Sequence, residues 1–262
     1  MLYPEIDPVI FSIGPVSVRW YGMMYVLGFL AAWALAWYRG ERKDAPVNRS
    51  QVDDLIFWAM VGVIVGGRVG SVLFYNWAQF VSDPLYLVKI WQGGMSFHGG
   101  LIGVMVAMWL YGRKLGKTIW HVTDFVAPLV PVGLGLGRVG NFINAELWGK
   151  PTDVAWGFIY QGVKRHPSQL YEALLEGLVL FLILWTYSAK PRPYMAVSGM
   201  FLLWYGAFRF FIEFYRLPDA DIGYLAFGWL TMGQLLSTPM IVAGAVMLLL
   251  AYRHYSKGEA AA

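Results

Sequence analysis

Three arginines interrupt stretches that are otherwise apolar and rich in glycine: Arg68 in Gly66-Gly67-Arg68, Arg138 in Gly137-Arg138-Val139-Gly140, and Arg209 in Phe208-Arg209-Phe210. A guanidinium is always charged, and its planar fork of donors matches a phosphate or a carboxylate through two parallel hydrogen bonds. Glu213 follows Arg209 by four residues, the spacing that puts two side chains on one helix face. His98 stands among glycines, in Gly93-Gly94-Met95-Ser96-Phe97-His98-Gly99-Gly100-Leu101-Ile102-Gly103. Imidazole titrates near neutral pH, which makes His98 a candidate general base, and the flanking glycines let a ligand or another backbone come close. Each group also has a structural alternative. Arginines snorkel to an interface or pair with carboxylates such as Glu213 and Glu146, and a histidine at a helix entrance caps or hydrogen-bonds. Arg138 and Arg209 together, with a histidine alongside, favour a phosphate site, whereas Arg68 reads equally well as a structural charge. His166, in Arg165-His166-Pro167-Ser168-Gln169-Leu170-Tyr171-Glu172, is expected to be structural, and His121 and His254 are expected to take no part.

Other chemistries have little to stand on. There is no G-x-S-x-G elbow, no H-E-x-x-H pair and no phosphate-binding P-loop. Four histidines and no cysteine make a metal site an unpromising reading, and they remove disulfides and an enzyme-borne thiol nucleophile. No cofactor and no metal are expected.

The elements that must position these residues are membrane helices. Of the 262 residues, 58% are hydrophobic and 14% charged, against about 45–50% apolar and about 25% charged in a soluble domain. So much apolar surface needs a lipid solvent. The 13 Trp and 16 Tyr suit the two interfaces of a bilayer. A net charge of +4 would suggest nucleic acid in a soluble protein; here the basic residues fall in short loops and report topology, and no nucleic-acid partner is expected. The acidic start Met-Leu-Tyr-Pro-Glu-Ile-Asp-Pro lacks the basic region of a signal peptide, so the first helix is expected to stay as a span.

About 20 apolar residues cross the hydrocarbon as a helix. Seven segments meet or approach that length, at approximately 18–38, 53–75, 96–112, 121–140, 169–187, 196–215 and 229–252, the fourth interrupted by Pro128 and Pro131. The fold expected is an all-α integral membrane protein of seven transmembrane helices, one polytopic domain over 1–262. Eleven basic residues (Arg39, Arg42, Lys43, Arg49, Arg113, Lys114, Lys117, Lys190, Arg192, Arg253 and Lys257) lie on one side and six (Lys89, Arg138, Lys150, Lys164, Arg165 and Arg216) on the other. The positive-inside rule puts the larger set in the cytoplasm, hence the N-terminus outside and the C-terminus inside. Glycines at four-residue spacing, Gly62, Gly66 and Gly70, Gly99 and Gly103, Gly133 and Gly137, predict close helix packing.

Depth then sorts the polar residues. At about 1.5 Å per residue, Arg138 lies roughly 26 Å above the cytoplasmic start of its helix, and Arg68 and Arg209 roughly 20–23 Å above theirs. Tyr21, His98, Glu172 and Glu176 fall in first turns of helices entering from outside. They converge on the outer third of the bilayer, where headgroups meet acyl chains. Ionisable groups at such depth are functional candidates.

The sequence around these residues resembles the prolipoprotein diacylglyceryl transferases of bacteria, over essentially the whole chain. The resemblance is carried by Trp20-Tyr21-Gly22, Gly66-Gly67-Arg68, Phe97-His98-Gly99-Gly100-Leu101-Ile102-Gly103 and Gly137-Arg138-Val139-Gly140-Asn141-Phe142-Ile143-Asn144-Ala145-Glu146 with Trp148-Gly149. It continues in Arg165-His166-Pro167-Ser168-Gln169-Leu170-Tyr171-Glu172, Tyr205-Gly206-Ala207-Phe208-Arg209 and Glu213. It implies an inner-membrane enzyme, with its site toward the outer leaflet, that moves the diacylglyceryl group of phosphatidylglycerol to the thiol of the lipobox cysteine in a prolipoprotein signal peptide. By the same resemblance Arg138 holds the lipid phosphate, Arg209 neutralises the leaving group, and His98 is the candidate for the thiol proton. Tyr21, Gly99, Gly100, Asn141, Asn144, Glu146 and Gly149 line the headgroup site, with Tyr205 and Glu213 beside Arg209. Two rivals remain open at this point. A transporter of an anionic solute would bind near the midplane within repeated halves; a metal-dependent phosphotransferase would need clustered aspartates, and Asp53, Asp54 and Asp124 lie toward the opposite face.

Overall fold

The long apolar stretches form helices, the structure that satisfies its own backbone groups where water is absent. The computed structural model describes residues 1–14, 16–89, 93–218 and 223–256. A hairpin of β1 (Val9–Ile13) and β2 (Val16–Arg19) leads into α1 (Trp20–Arg39), α2 (Arg49–Tyr75), the short α3 (Trp77–Ser82) and a 3-10 turn at Pro84–Val88. Helices α4 (Phe97–Lys114), α5 (Ile119–Val126) and α6 (Val130–Ile143) come next, then a hairpin of β3 (Phe158–Tyr160) and β4 (Val163–Arg165). A rod follows, made of α7 (Ser168–Glu172), a π-helical stretch Ala173–Val179 and α8 (Leu180–Tyr187), and the chain ends with α9 (Ala196–Ile212) and α10 (Met232–Ser256).

Among the described residues, four helices are long and apolar enough to cross a membrane: Trp20–Arg39, Arg49–Tyr75, Ser168–Tyr187 and Met232–Tyr255. A fifth is added if α5 and α6 are one span broken at Ala127-Pro128-Leu129. The break follows from Pro128 and Pro131, which lack the N–H that would continue the ladder. At 17 residues α9 is shorter, and α4 occupies the place of the third expected span with 18. The chain is thus mostly helical, as the sequence predicts, while the two antiparallel hairpins depart from a purely helical expectation. The first is registered Phe11↔Val18, Ser12↔Ser17 and Ile13↔Val16, with Gly14 at its turn in the left-handed region at φ +57°. Lys257, counted with the cytoplasmic charges, and the tail beyond it lie outside the described residues.

Two compact units make up the chain, residues 1–35 with 126–262, and residues 36–125. In the second unit α2 and α4 pack on their glycines as expected. A Cβ on Gly62 would stand 2.6 Å from the Gly103 carbonyl, and one on Gly70 2.7 Å from Gly99 Cα. Gly66 meets the Gly99 carbonyl more closely still. Ser96 caps α4 by accepting from the Gly99 amide at 3.2 Å. Arg68 is buried and serves the fold. Its guanidinium donates to the carbonyls of Leu87 and Lys89 at 3.0 Å each, to that of Gly94 at 3.2 Å, and to those of Tyr86 and Gly93. It also rests over the Tyr86 ring, 4.2 Å from the centroid.

The first unit has a core of Ala127, Leu180, Leu184 and Val197, with Phe201, Tyr205 and Phe208 packed against it. α9 meets α10 where Gly206 and Gly244 remove side chains: a Cβ on Gly244 would be 2.5 Å from the Leu203 amide nitrogen. α6 meets the π-helical stretch at Gly135 and Gly177, where a Cβ on Gly177 would stand 2.7 Å from Gly135 Cα. The approach of α6 to the rod therefore falls at Gly135, a position outside the expected pair Gly133 and Gly137. Gly133 instead receives Gly28 of α1, whose Cβ would be 3.2 Å from Gly133 Cα, and Gly137 faces open space.

Candidate functional site

Close contact between Gly135 and Gly177 brings Arg138, one turn further along α6, level with two carboxylates of the neighbouring rod. Arg138 Nε lies 3.2 Å from Glu172 Oε2, and its Nη2 lies 3.8 Å from Glu176 Oε2. α9 delivers Arg209 to the same place. Its Nη1 donates to Glu172 Oε1 and lies 4.0 Å from Glu176 Oε1, while its Nη2 meets Glu213 Oε1 at 2.6 Å. Arg216 closes the group from the turn after α9, donating to Glu172 Oε1 at 2.8 Å and lying 3.2 Å from Glu213 Oε1. Three guanidinium groups and three carboxylates thus interlock within one unit. Glu172 and Glu176 are fully buried, Glu213 and Arg216 nearly so. The side chains of Arg138 and Arg209 keep 21% and 17% of their surface open.

Glu213 is itself braced. Its Oε2 accepts from the Thr231 hydroxyl at 2.7 Å, and Thr231 exchanges hydrogen bonds with Gln234 at the start of α10. Gly233 leaves the room: a Cβ there would fall 2.5 Å from Glu213 Cδ. Tyr205, one turn before Arg209, stacks on Phe201 with ring centroids 5.6 Å apart, and its hydroxyl lies in the field of Glu176 and Arg209.

Around Arg138 the chain leaves α6 through a strained loop. Ala145 and Leu147, on either side of Glu146, are both left-handed, at φ 57° and 59°, a conformation that costs a residue with a Cβ about 1 kcal/mol or more. The start of α7 holds the loop in place. Ser168 Oγ donates to the Leu147 carbonyl at 2.8 Å, and the Gln169 amide donates to the Glu146 carbonyl. Exposed Glu146 turns to amides, accepting from Asn141 at 3.2 Å and Asn144 at 3.4 Å. The suggested pairing of an arginine with Glu146 is therefore not among the ion pairs described, whereas that with Glu213 is. Tyr21 packs on Gly140, where a Cβ would come within 3.0 Å of its ring, and its hydroxyl bonds that of Tyr25 at 3.1 Å.

Gly149 is a point of close backbone approach. A Cβ there would stand 2.6 Å from the Tyr215 carbonyl and 2.7 Å from His166 Cβ, and its N–H donates to the His166 carbonyl at 2.9 Å. His166, expected to be structural, bonds the Tyr171 hydroxyl through Nδ1 at 3.0 Å, and that hydroxyl also accepts from Trp156 at 2.7 Å. His98, Gly99 and Gly100 belong to the second unit. His98 is exposed in the first turn of α4. Gly99 and Gly100 are buried, the former against Gly66 and Gly70, the latter against Val63. Among the described residues no three His, Asp or Glu side chains group as metal ligands.

Sequence reasoning passed over three members of the cluster. Glu172 and Glu176 stand out in the sequence by depth but carry no expected role there, and Arg216 reads as a loop charge. The spacing Arg209, Glu213, Arg216 is the signal that would have placed it, one helical stripe of alternating sign.

Comparison with known proteins agrees with the resemblance read from the sequence. The family model described as prolipoprotein diacylglyceryl transferase matches residues 8–250. The chain is 54% identical to the phosphatidylglycerol--prolipoprotein diacylglyceryl transferase of Pseudomonas syringae pv. syringae, covering 99% of this chain and 98% of that one. It is 58% identical to the protein of the same name from Oleidesulfovibrio alaskensis, covering 94% and 93%, and 55% identical to that of Ectopseudomonas mendocina, covering 96% of each. With a match of that extent, the chain belongs to the prolipoprotein diacylglyceryl transferase family.

Proposed function

We propose that this chain transfers the diacylglyceryl group of phosphatidylglycerol to the thiol of a prolipoprotein cysteine. The sulfur–carbon bond of a thioether forms at the glyceryl carbon, the carbon–oxygen bond to phosphate breaks, and glycerol phosphate departs. The observation that carries the reading is the convergence of Arg138 and Arg209 on Glu172, each side chain still partly exposed. Such a pair suits a phosphodiester and can stabilise the charge that grows as it leaves, an effect of several kcal/mol per donor in a site without water. In this reading Arg138 grips the phosphate, Arg209 neutralises the leaving group, and Glu213 with Tyr205 positions Arg209. Tyr21, Asn141, Asn144, Glu146 and Gly149 shape the headgroup site. The nucleophile comes with the substrate, which suits a chain without cysteine. A free thiol ionises near pH 8.5 and needs a base at neutral pH; His98 is the proposed acceptor of its proton.

The same reading takes the chain as a single polytopic domain of seven spans in the bacterial inner membrane, N-terminus outside and C-terminus in the cytoplasm, with the site toward the outer leaflet. The prolipoprotein is recognised through its signal peptide and lipobox cysteine. Membership of a transferase family disfavours the transporter alternative. An assay with labelled phosphatidylglycerol and a lipobox peptide in proteoliposomes tests the proposal. Thioether product is expected with the natural chain and none with Arg138→Ala, which should still insert and fold; full activity of that variant would end the assignment.

A further inference from the structure

The carboxyl group of Glu176 sits in the π-helical stretch, fully buried, with no hydrogen-bond donor on either oxygen. Stretches of this kind recur at functional sites, because the wider turn re-aims side chains that an α-helix would stack at i and i+4. Here Glu172 and Glu176 both face the arginines but are held very differently. Glu172 takes hydrogen bonds from Arg209 and Arg216. Glu213 has Arg209 at 2.6 Å, Arg216 at 3.2 Å and the Thr231 hydroxyl at 2.7 Å. Glu176 has only the longer approaches of Arg138 and Arg209, at 3.8 and 4.0 Å. Its charged surroundings are Glu172 on its own rod, Arg138 from α6, Arg209 and Tyr205 from α9, and Arg216 beyond α9; α8, which continues the rod, carries no charged side chain.

With all its groups ionised, the cluster sets three guanidinium groups against three carboxylates. A phosphodiester headgroup adds one negative charge where little water can screen it, and a buried charge without a counter-charge is strongly disfavoured. Attraction falls with distance, and hydrogen bonds stabilise a charged form, so the carboxylate supported by the fewest contacts is the one to yield. We infer that Glu176 takes up one proton from solution as an anionic phosphodiester headgroup binds, keeping the cluster neutral. The proton forms an O–H bond on the carboxylate, no electrons change hands, and release of the anionic product returns it. Glu176 is thereby a positioning and charge-compensating residue that leaves Arg138 and Arg209 free to turn toward phosphate.

This inference rests on the lipid reading above, and calorimetry separates the two. Soluble short-chain phosphatidylglycerol is titrated into the full chain in detergent at pH 8.5, in buffers of different ionisation enthalpy, with the matching short-chain diacylglycerol and glycerol phosphate as controls. Uptake of close to one proton per phosphatidylglycerol is expected, and none with neutral diacylglycerol. Affinity should weaken up to about tenfold per pH unit as pH rises. Glu176→Gln, which carries the neutral shape permanently, should bind without proton uptake and with a flat pH profile, while Glu176→Asp should retain both. Binding without proton uptake in the natural chain, or uptake that survives in Glu176→Gln, overturns the inference alone. Absence of any phosphatidylglycerol binding overturns the lipid reading and the inference together. Uptake with glycerol phosphate but not with a lipid that binds would assign the proton to a soluble phosphate and overturn the inference alone.

Discussion

Glu172 and Arg216, 44 residues apart in sequence, meet through a 2.8 Å hydrogen bond in a part of the fold where the carboxylate is fully buried. Arg209 bonds the same oxygen, and Arg138 approaches the other at 3.2 Å. One carboxylate thus joins α6, α7 and the end of α9, and the arginines that the family resemblance assigns to phosphate are pre-placed by it.

Removing that charge should therefore hurt both stability and function. Glu172→Gln leaves three guanidinium groups around a neutral amide, and breaking a buried pair on one side costs about 3–5 kcal/mol. A lower unfolding midpoint in detergent and a transfer rate reduced by at least a hundredfold are expected. Normal stability would show that the cluster is held by packing alone.

Arg209 reaches Glu172 with one Nη atom and Glu213 with the other. A lysine offers a single point charge and cannot span both. Arg209→Lys should keep the fold and lose most of the turnover, roughly a hundredfold or more if a phosphate-directed donor is lost. Equal kcat in the two proteins would mean that charge without geometry is enough.

For His98 the proposed role is chemical and the side chain is exposed, so His98→Gln should be benign to folding. A general base contributes about 10²–10⁴ in rate, and the loss should shrink as pH approaches that of thiol ionisation. A rate close to that of the natural chain at neutral pH would reduce His98 to a scaffold residue.

Arg68 should behave in the opposite way. Its donors hold the carbonyls of Tyr86, Leu87, Lys89, Gly93 and Gly94, and Arg68→Ala leaves the buried Tyr86 carbonyl without that donor, at about 1–3 kcal/mol where water cannot enter. Faster proteolysis within 84–94 is expected, with the KM for phosphatidylglycerol unchanged in the folded fraction. A selective rise in KM would move Arg68 into the binding site.

His166 supplies a pH dependence. Burial holds its imidazole below the ordinary value, so the folded chain resists the proton that the unfolded chain accepts. Stability is then full above about pH 6.5, the unfolded value, and falls as pH drops toward the depressed value. His166→Asn should flatten the unfolding midpoint between pH 5 and 7, and an unchanged slope would trace it to another group.

What the sequence determined by itself was the solvent, most of the long apolar helices and the short list of residues that do not belong in lipid. Those are local properties: hydropathy over twenty residues, basic loops, and a polar side chain where none is tolerated. The α2–α4 contact was legible too, because Gly62, Gly66 and Gly70 announce it at fixed spacing. Partnership was not. Arg68 looks like Arg138 in sequence, and only the loop folded back over it shows that its guanidinium is spent on carbonyls. Arg216 read as a loop charge because the end of α9 could not be located to within a turn. Glu172 and Glu176 became the hub of the site only when Gly135 met Gly177 and set the height of α6 against the rod. Pairing energies depend on ångströms between distant segments, and sequence spacing measures distance only along one helix.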